Sequence, residues 1–308
     1  MVPEVVLFRR LAVATAVFAY LQIALGGVVR VSGSGLGCPD WPLCHGRPYP
    51  PADAHAIIEY SHRAVGSVTG ILIIATVVMA WVVFRKRRPL VAWLATASLI
   101  GVVGEGILGG VVVAQELAPW LVLFHLGLAM MILGFLVATA VMAMPPSSGV
   151  PDPRFRRLAV VATAATYLLL LTGSTVVASE ADESCNSWPL CGNGFAFDFA
   201  GVNAFTMLHR GSVLVVGLLL LHVLFTAVRR WRKVDGMGAF AGAAIAAFAV
   251  QVAVGAGSAL KGGALFDGLH VALATLVWSG ILITALLALP RADRQPELSH
   301  LAVDRSSA

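Results

Sequence analysis

Apolar residues along this chain come in long unbroken runs, and the charged residues gather in the stretches between them. A helix that is hydrophobic all round is surrounded by apolar solvent, and a bilayer crossing takes about 20 such residues with every backbone polar group paired inside the segment. Eight runs of that kind are present, over about residues 9–30, 57–84, 90–113, 120–144, 157–178, 204–228, 238–259 and 266–289. The pattern predicts an all-α integral membrane protein with eight transmembrane helices. The first run exceeds the apolar stretch of about 7–15 residues found in a secretory signal, and no small-residue cleavage site clearly follows it, so it is read as a retained helix.

Composition agrees: 58% of residues are hydrophobic and only 12% charged, outside the usual range of soluble proteins. The net charge of +5 raises the question of a nucleic-acid surface, which the placement of the charges answers. Arg9, Arg10, the run Arg85 to Arg88, Arg154, Arg156, Arg157, Arg229, Arg230, Arg232, Lys233, Arg291, Arg294 and Arg305 all fall on one side of the predicted membrane. The opposite side has few cations and carries Asp40, Asp53, Glu180, Asp182, Glu183 and Asp198. The positive-inside rule then puts both termini in the cytoplasm of a cell that holds the chain in its plasma membrane, with lipid rather than nucleic acid as its partner.

The chain repeats itself. A shift of 147 residues superposes Cys38 on Cys185, the run Trp41 to Cys44 on Trp188 to Cys191, and His62-Arg63 on His209-Arg210. Gly26, Val29 and Ser32 meet Gly173, Val176 and Ser179 at the same shift, while a shift of 145 puts His125 on His270 and Gly110 on Gly255. Apolar sequence matches itself often, but a shared Cys-x5-Cys enclosing Trp-Pro-Leu does not. The organisation expected is two tandem four-helix bundles, residues 1–148 and 149–308. An even helix number gives both the same orientation, so they are expected to be related by a pseudo-two-fold axis along the membrane normal.

His62 and His209 fall about five residues into the second helix of each half, and His125 and His270 about five residues into the fourth. At 1.5 Å per residue all four lie about 7–8 Å below the outer helix ends. Depth-matched imidazoles on facing helices of a bundle can supply both axial ligands of a haem. Arg63 and Arg210, next to the first ligand of each half and near the interface, are candidate contacts for haem propionates, with simple interfacial anchoring as the alternative. Glu59 precedes His62 by three residues on the same helical face, and its counterpart is Thr206. That asymmetry assigns chemistry to one site and electron carriage to the other. Glu105 lies within the third helix with no spacing that ties it to the histidines. His222, midway along the sixth helix without a counterpart, reads as a packing residue; His45, His55 and His300 read as solvated loop or tail residues.

All four cysteines lie in the two outer loops, where the compartment permits disulfides. Structural bridges Cys38 to Cys44 and Cys185 to Cys191 are expected, with redox exchange at the first pair as the alternative. Zinc through Cys44 and His45 is disfavoured because the second half has Gly192 in place of the histidine.

The segment Gly35-Leu-Gly-Cys-Pro-Asp-Trp-Pro-Leu-Cys-His-Gly46, followed by Glu59-Tyr60-Ser61-His62-Arg63, resembles the haem A synthase family, and the resemblance covers nearly the whole chain. It implies an oxidoreductase that converts the C8 methyl group of haem O to a formyl group, giving the haem A of terminal cytochrome oxidases. It further implies that His62 and His125 hold the substrate haem O, that His209 and His270 hold a resident haem b, and that Glu59 is the catalytic carboxylate. Partners implied are the enzyme that makes haem O and an electron acceptor. Two rival readings are a dihaem electron-transfer protein of the cytochrome b type, which would need no Glu59, and a repeat-built transporter with a histidine proton relay, which would place its histidines nearer mid-membrane.

Overall fold

The computed structural model describes residues 3–192 and 197–293 of the chain, and these are helical, without a strand. Arg294, His300 and Arg305 lie outside the described residues. The helices are α1 (Pro3–Val31), α2 (Ala54–Phe84), α3 (Pro89–Ala114), α4 (Pro119–Met142), α5 (Pro153–Ala178), the single turn α6 (Ala181–Ser184), α7 (Asn203–Arg230), α8 (Met237–Lys261) and α9 (Ala264–Ala288). Eight of them are long and apolar enough to cross a bilayer, as the hydrophobic runs predict.

Local chemistry sets the helix starts. Proline occupies the first turn of α3, α4 and α5, where its missing N–H costs nothing. The carboxylates of Asp53 and Asp152 cap α2 and α5 by accepting from the backbone N–H groups of Ala56 and of Arg154 and Phe155. The Asp53 cap starts α2 three residues earlier than the apolar run suggests, because a capped turn needs no hydrophobic residues of its own.

Within the first half, α1 packs on α2, α2 on α3, α3 on α4 and α4 back on α1; α5, α7, α8 and α9 close the same ring in the second. The halves meet where α9 lies against α1 and α4, and where α4 lies against α5. Accordingly α4 and α9 bury 44% of their spans while α3 and α5 bury 11%, so the central pair is held by protein and the outer helices face lipid. With no hydrophobic drive between helices in lipid, close approach of small residues and hydrogen bonds carry the association. Tyr167 on α5 donates to the carbonyl of Gly127 on α4 at 2.9 Å, and its ring leans on Trp278 of α9.

The basic end is knitted together through the link between the halves. Arg9 donates to the carbonyl of Ala143, and buried Arg88 donates to those of Met142 and Met144 while pairing with Asp293 at 2.5 Å. Arg291, also buried, exchanges backbone hydrogen bonds with Ser147 and faces Asp235 at 3.4 Å.

Gly134 tests the contact between the halves, since a Cβ there would lie 2.6 Å from the Trp278 ring. We expect Gly134→Val to destabilise the protein by about 1–3 kcal/mol through overpacking, read as a lower unfolding midpoint in detergent. Gly70→Ala on α2, where a Cβ would meet nothing within 4 Å, should leave the midpoint unchanged or raise it.

Candidate functional site

Each of the four repeated histidines rests its ring on a glycine of the helix before it. A Cβ on Gly26 would lie 3.1 Å from His62 Cε1, one on Gly109 3.3 Å from His125 Cε1, one on Gly173 3.0 Å from His209 Cε1, and one on Gly255 2.8 Å from His270 Cε1. The pairs run α1 to α2, α3 to α4, α5 to α7 and α8 to α9, so each imidazole enters its own half over a position where a side chain would crowd it, most tightly at Gly255. His62 is within electrostatic reach of His125, and His209 of His270. The glycine that serves His125 is Gly109, not the Gly110 that the repeat spacing aligns with Gly255; Gly110 instead lies against the indole of Trp41. Depth also changes: with α2 starting at Ala54, His62 is about 12 Å below its helix start and the other three are about 9 Å below theirs.

The polar surroundings differ between the rings. Thr172 meets Nδ1 of His209 at 3.0 Å, leaving Nε2 uncommitted. Glu105 brings Oε1 within 3.2 Å of His125 Nδ1. The contact does not have hydrogen-bond geometry, and His125 Nδ1 and Glu105 Oε2 are both buried without a hydrogen-bond partner; at this separation a small ring rotation would align the pair. The Gln22 side-chain nitrogen lies 3.3 Å from His62 Nε2, while Gln22 Oε1, His62 Nδ1 and His270 Nδ1 have no partner. Each orphaned buried nitrogen costs about 1–3 kcal/mol. Four imidazoles on glycine shelves, several with unmatched nitrogens, are a donor set suited to a large flat ligand that binds through its metal, and a haem fits it.

Glu59 is 4% exposed and tied down on both oxygens. Its Oε2 accepts from the backbone N–H of Cys38 at 2.8 Å and its Oε1 pairs with Arg63 at 2.5 Å. Arg63 also donates to the carbonyls of Cys38, Asp40 and Leu43, and Arg210 donates to those of Ser187 and Pro189. Both arginines therefore clamp the outer loops, a task invisible in the sequence because the acceptors are backbone carbonyls. Thr206 replaces Glu59 in the second half and donates to the carbonyl of Ala181.

The loops carry the expected disulfides, Cys38 to Cys44 with Cα atoms 4.5 Å apart and Cys185 to Cys191 at 5.2 Å. All four sulfurs are thereby spent, so Cys44 with His45 offers no zinc site. Trp41-Pro42 and Trp188-Pro189 are both cis, and the aligned positions His45 and Gly192 are both left-handed, at φ 52° and 75°. Glycine adopts that conformation freely; at His45 it is held by the Asp40 carboxylate, which accepts from the backbone N–H groups of Gly46 and His45. The same bonds, Gly46 first, hold the Asp40 carboxyl below the usual carboxylate range.

Two minor readings change, those of His222 and His55, while His45 is exposed in its loop as expected. His222 is not a packing residue: it is exposed and lines an open groove with Arg154, Arg229 and Arg230 at the basic end. His55 lies in the first turn of α2 and meets Ser34 Oγ at 3.0 Å, and His45 reaches the carbonyl of Gly37 at 3.0 Å, so both exposed rings have partners. Gln22 and Thr172 were missed, and neither has a polar counterpart at the repeat spacing, where Leu169 and Leu25 stand.

A family model described as cytochrome oxidase assembly protein, COX15-CtaA, matches residues 9–282. The chain is 30% identical to the heme A synthase of Symbiobacterium thermophilum, over 92% of this chain and 95% of that one. It is likewise 30% identical to the heme A synthase of Exiguobacterium sibiricum, over 89% and 93%, and 27% identical to that of Shouchella clausii, over 73% and 77%. The family match takes in both cysteine loops, the glycine shelves and all four histidines, and on that ground the chain belongs to the COX15-CtaA family of cytochrome oxidase assembly proteins.

Proposed function

We propose that this protein is a heme A synthase that oxidises the C8 methyl group of haem O to a formyl group. The observation that carries the reading is a buried carboxylate, Glu59, one helical turn from a shelved histidine in one half only, within a family whose relatives bear that name. In this reading residues 1–148 hold haem O between His62 and His125, and residues 149–308 hold a resident haem b between His209 and His270. The two halves are related by a pseudo-two-fold axis along the membrane normal. Its support is the contact pattern, in which α1 against α9 is answered by α5 against α4. The basic end, with both termini, faces the cytoplasm of a cell whose plasma membrane the protein spans.

A bound haem b supplies one-electron chemistry. Converting a methyl to a formyl group with water as the oxygen donor releases four electrons and four protons; the electrons leave for an acceptor outside the chain, and Glu59 is placed to take protons. Two fixed donors, the Cys38 N–H and Arg63, hold Glu59 aimed from α2 while leaving lone pairs on both oxygens. Arg210 meets a propionate with its Nη2 and Nε donors, whereas Arg63, its Nη donors spent on the loop carbonyls and Glu59, offers its Nε–H. Uptake of haem O directly from the enzyme that makes it would keep a free apolar haem out of the bilayer. A dihaem carrier of the cytochrome b type would have no use for a buried carboxylate tied to the cysteine loop in one half, where the second half has instead the part-buried Asp267 bonded to Ser258.

The direct test is expression with a haem O source and mass analysis of the extracted haems. Hydroxymethyl or formyl products are expected, and their absence with haem still bound would leave only a haem protein. Glu59→Gln keeps an acceptor for the Cys38 N–H but is a far weaker base. It should retain haem and lose about 10²–10⁴-fold in turnover, whereas haem loss with normal activity per bound haem would contradict the proton-accepting role. Filling one shelf should empty one half: Gly173→Leu is expected to lose haem b and keep the N-terminal haem, and loss of neither or of both would count against separate sites.

A further inference from the structure

Glu105 is a carboxylate inside a membrane-spanning helix, an expensive position that the reading above does not use. It stands on α3 one turn before Gly109, the shelf of His125, and its Oε1 is 3.2 Å from His125 Nδ1. Its other oxygen is buried without a partner, so the imidazole is the polar group that the structure offers it.

The second half supplies the comparison. The two shelves, Gly109 and Gly255, differ by 146 residues, and the same shift carries Glu105 onto Gln251. Gln251 therefore occupies the equivalent turn of α8 before its own shelf, with its Oε1 buried and unpartnered, and His270 Nδ1 is likewise buried and unpartnered. One half has a carboxylate behind the fourth-helix histidine, and the other has the neutral amide of nearly the same shape.

We infer that Glu105 is a positioning residue for His125: its carboxyl oxygen accepts from Nδ1–H, fixes the tautomer that points Nε2 at a haem iron, and gives the N-terminal haem an acidic support where the C-terminal one has the neutral Gln251. This rests on the proposed haem ligation by His125. A carboxylate behind a ligating imidazole orients the ring and makes it a stronger donor, which favours the oxidised metal. The pair of halves is thus built with unequal haem environments, and the lower-potential haem lies on the substrate side.

The test uses the full-length, haem-loaded protein with Glu105→Gln and Gln251→Glu, read by optical redox titration of each haem and by the low-spin electron paramagnetic resonance signals. Glu105→Gln should raise the midpoint potential of the N-terminal haem, weaken its binding about 10-fold or more, and leave the C-terminal haem unmoved. Gln251→Glu should lower the C-terminal midpoint, and it reads the idea even if Glu105→Gln fails to assemble. Unchanged potential and affinity of the N-terminal haem in Glu105→Gln would overturn the inference, as would an unmoved C-terminal midpoint in Gln251→Glu. If the unsubstituted protein binds no haem through His125, the ligation reading itself fails, a result separate from either of these.

Discussion

An imidazole below the surface of a bilayer has no water to satisfy it, and it can point inward between helices only where a neighbouring backbone comes close enough to leave it room. Four glycines provide that room here, each on the helix preceding the histidine it serves. The rest of the site depends on these contacts. They place four rings inside two bundles, settle which helices are adjacent in each half, and require the small-residue approach that holds helices together in lipid. Any side chain at Gly173 or Gly255 would press on the imidazole itself.

On this common frame the two halves diverge in their polar groups, with more of them in the first half, although Thr172 opposite Leu25 goes the other way. The first half has Glu59, Glu105 and Gln22 where the second has Thr206, Gln251 and Leu169. The first half has two carboxylates near its rings and the second has one, Asp267, a turn before His270, so the halves differ in the number and placement of acids in a medium that screens charge poorly. A protein that only carried electrons between two like haems would gain nothing from that difference. Glu59 further joins the site to the outer loop through the Cys38 N–H, so the disulfide-closed loop and the proposed base are positioned by one network with Arg63 at its centre.

The helices, the duplication, the disulfide pairs and the four histidines were legible because each leaves a signal in linear sequence: long apolar runs, a fixed offset, or a rare residue type. What stayed hidden depends on contacts between helices. Glu105 and His125 lie on different helices, so no spacing joins them, and a one-residue change in helix register made Gly110 look like the shelf that Gly109 is. The loop clamps of Arg63 and Arg210 end on backbone carbonyls, which every residue possesses. His222 looked internal because apolar residues surround it in sequence, but it shares the exposed face of α7 with Leu218 and Phe225 while Val223 and Leu224 are buried, a distinction that an evenly hydrophobic helix does not record.

The central claim is that each half binds one haem between its own two histidines, and a structure of the haem-loaded protein tests it most directly. The account predicts one iron bonded to Nε2 of His62 and His125 and another to Nε2 of His209 and His270, each pair of rings still on its glycines. An iron bonded to histidines from both halves, or haems held away from these four rings, would contradict it.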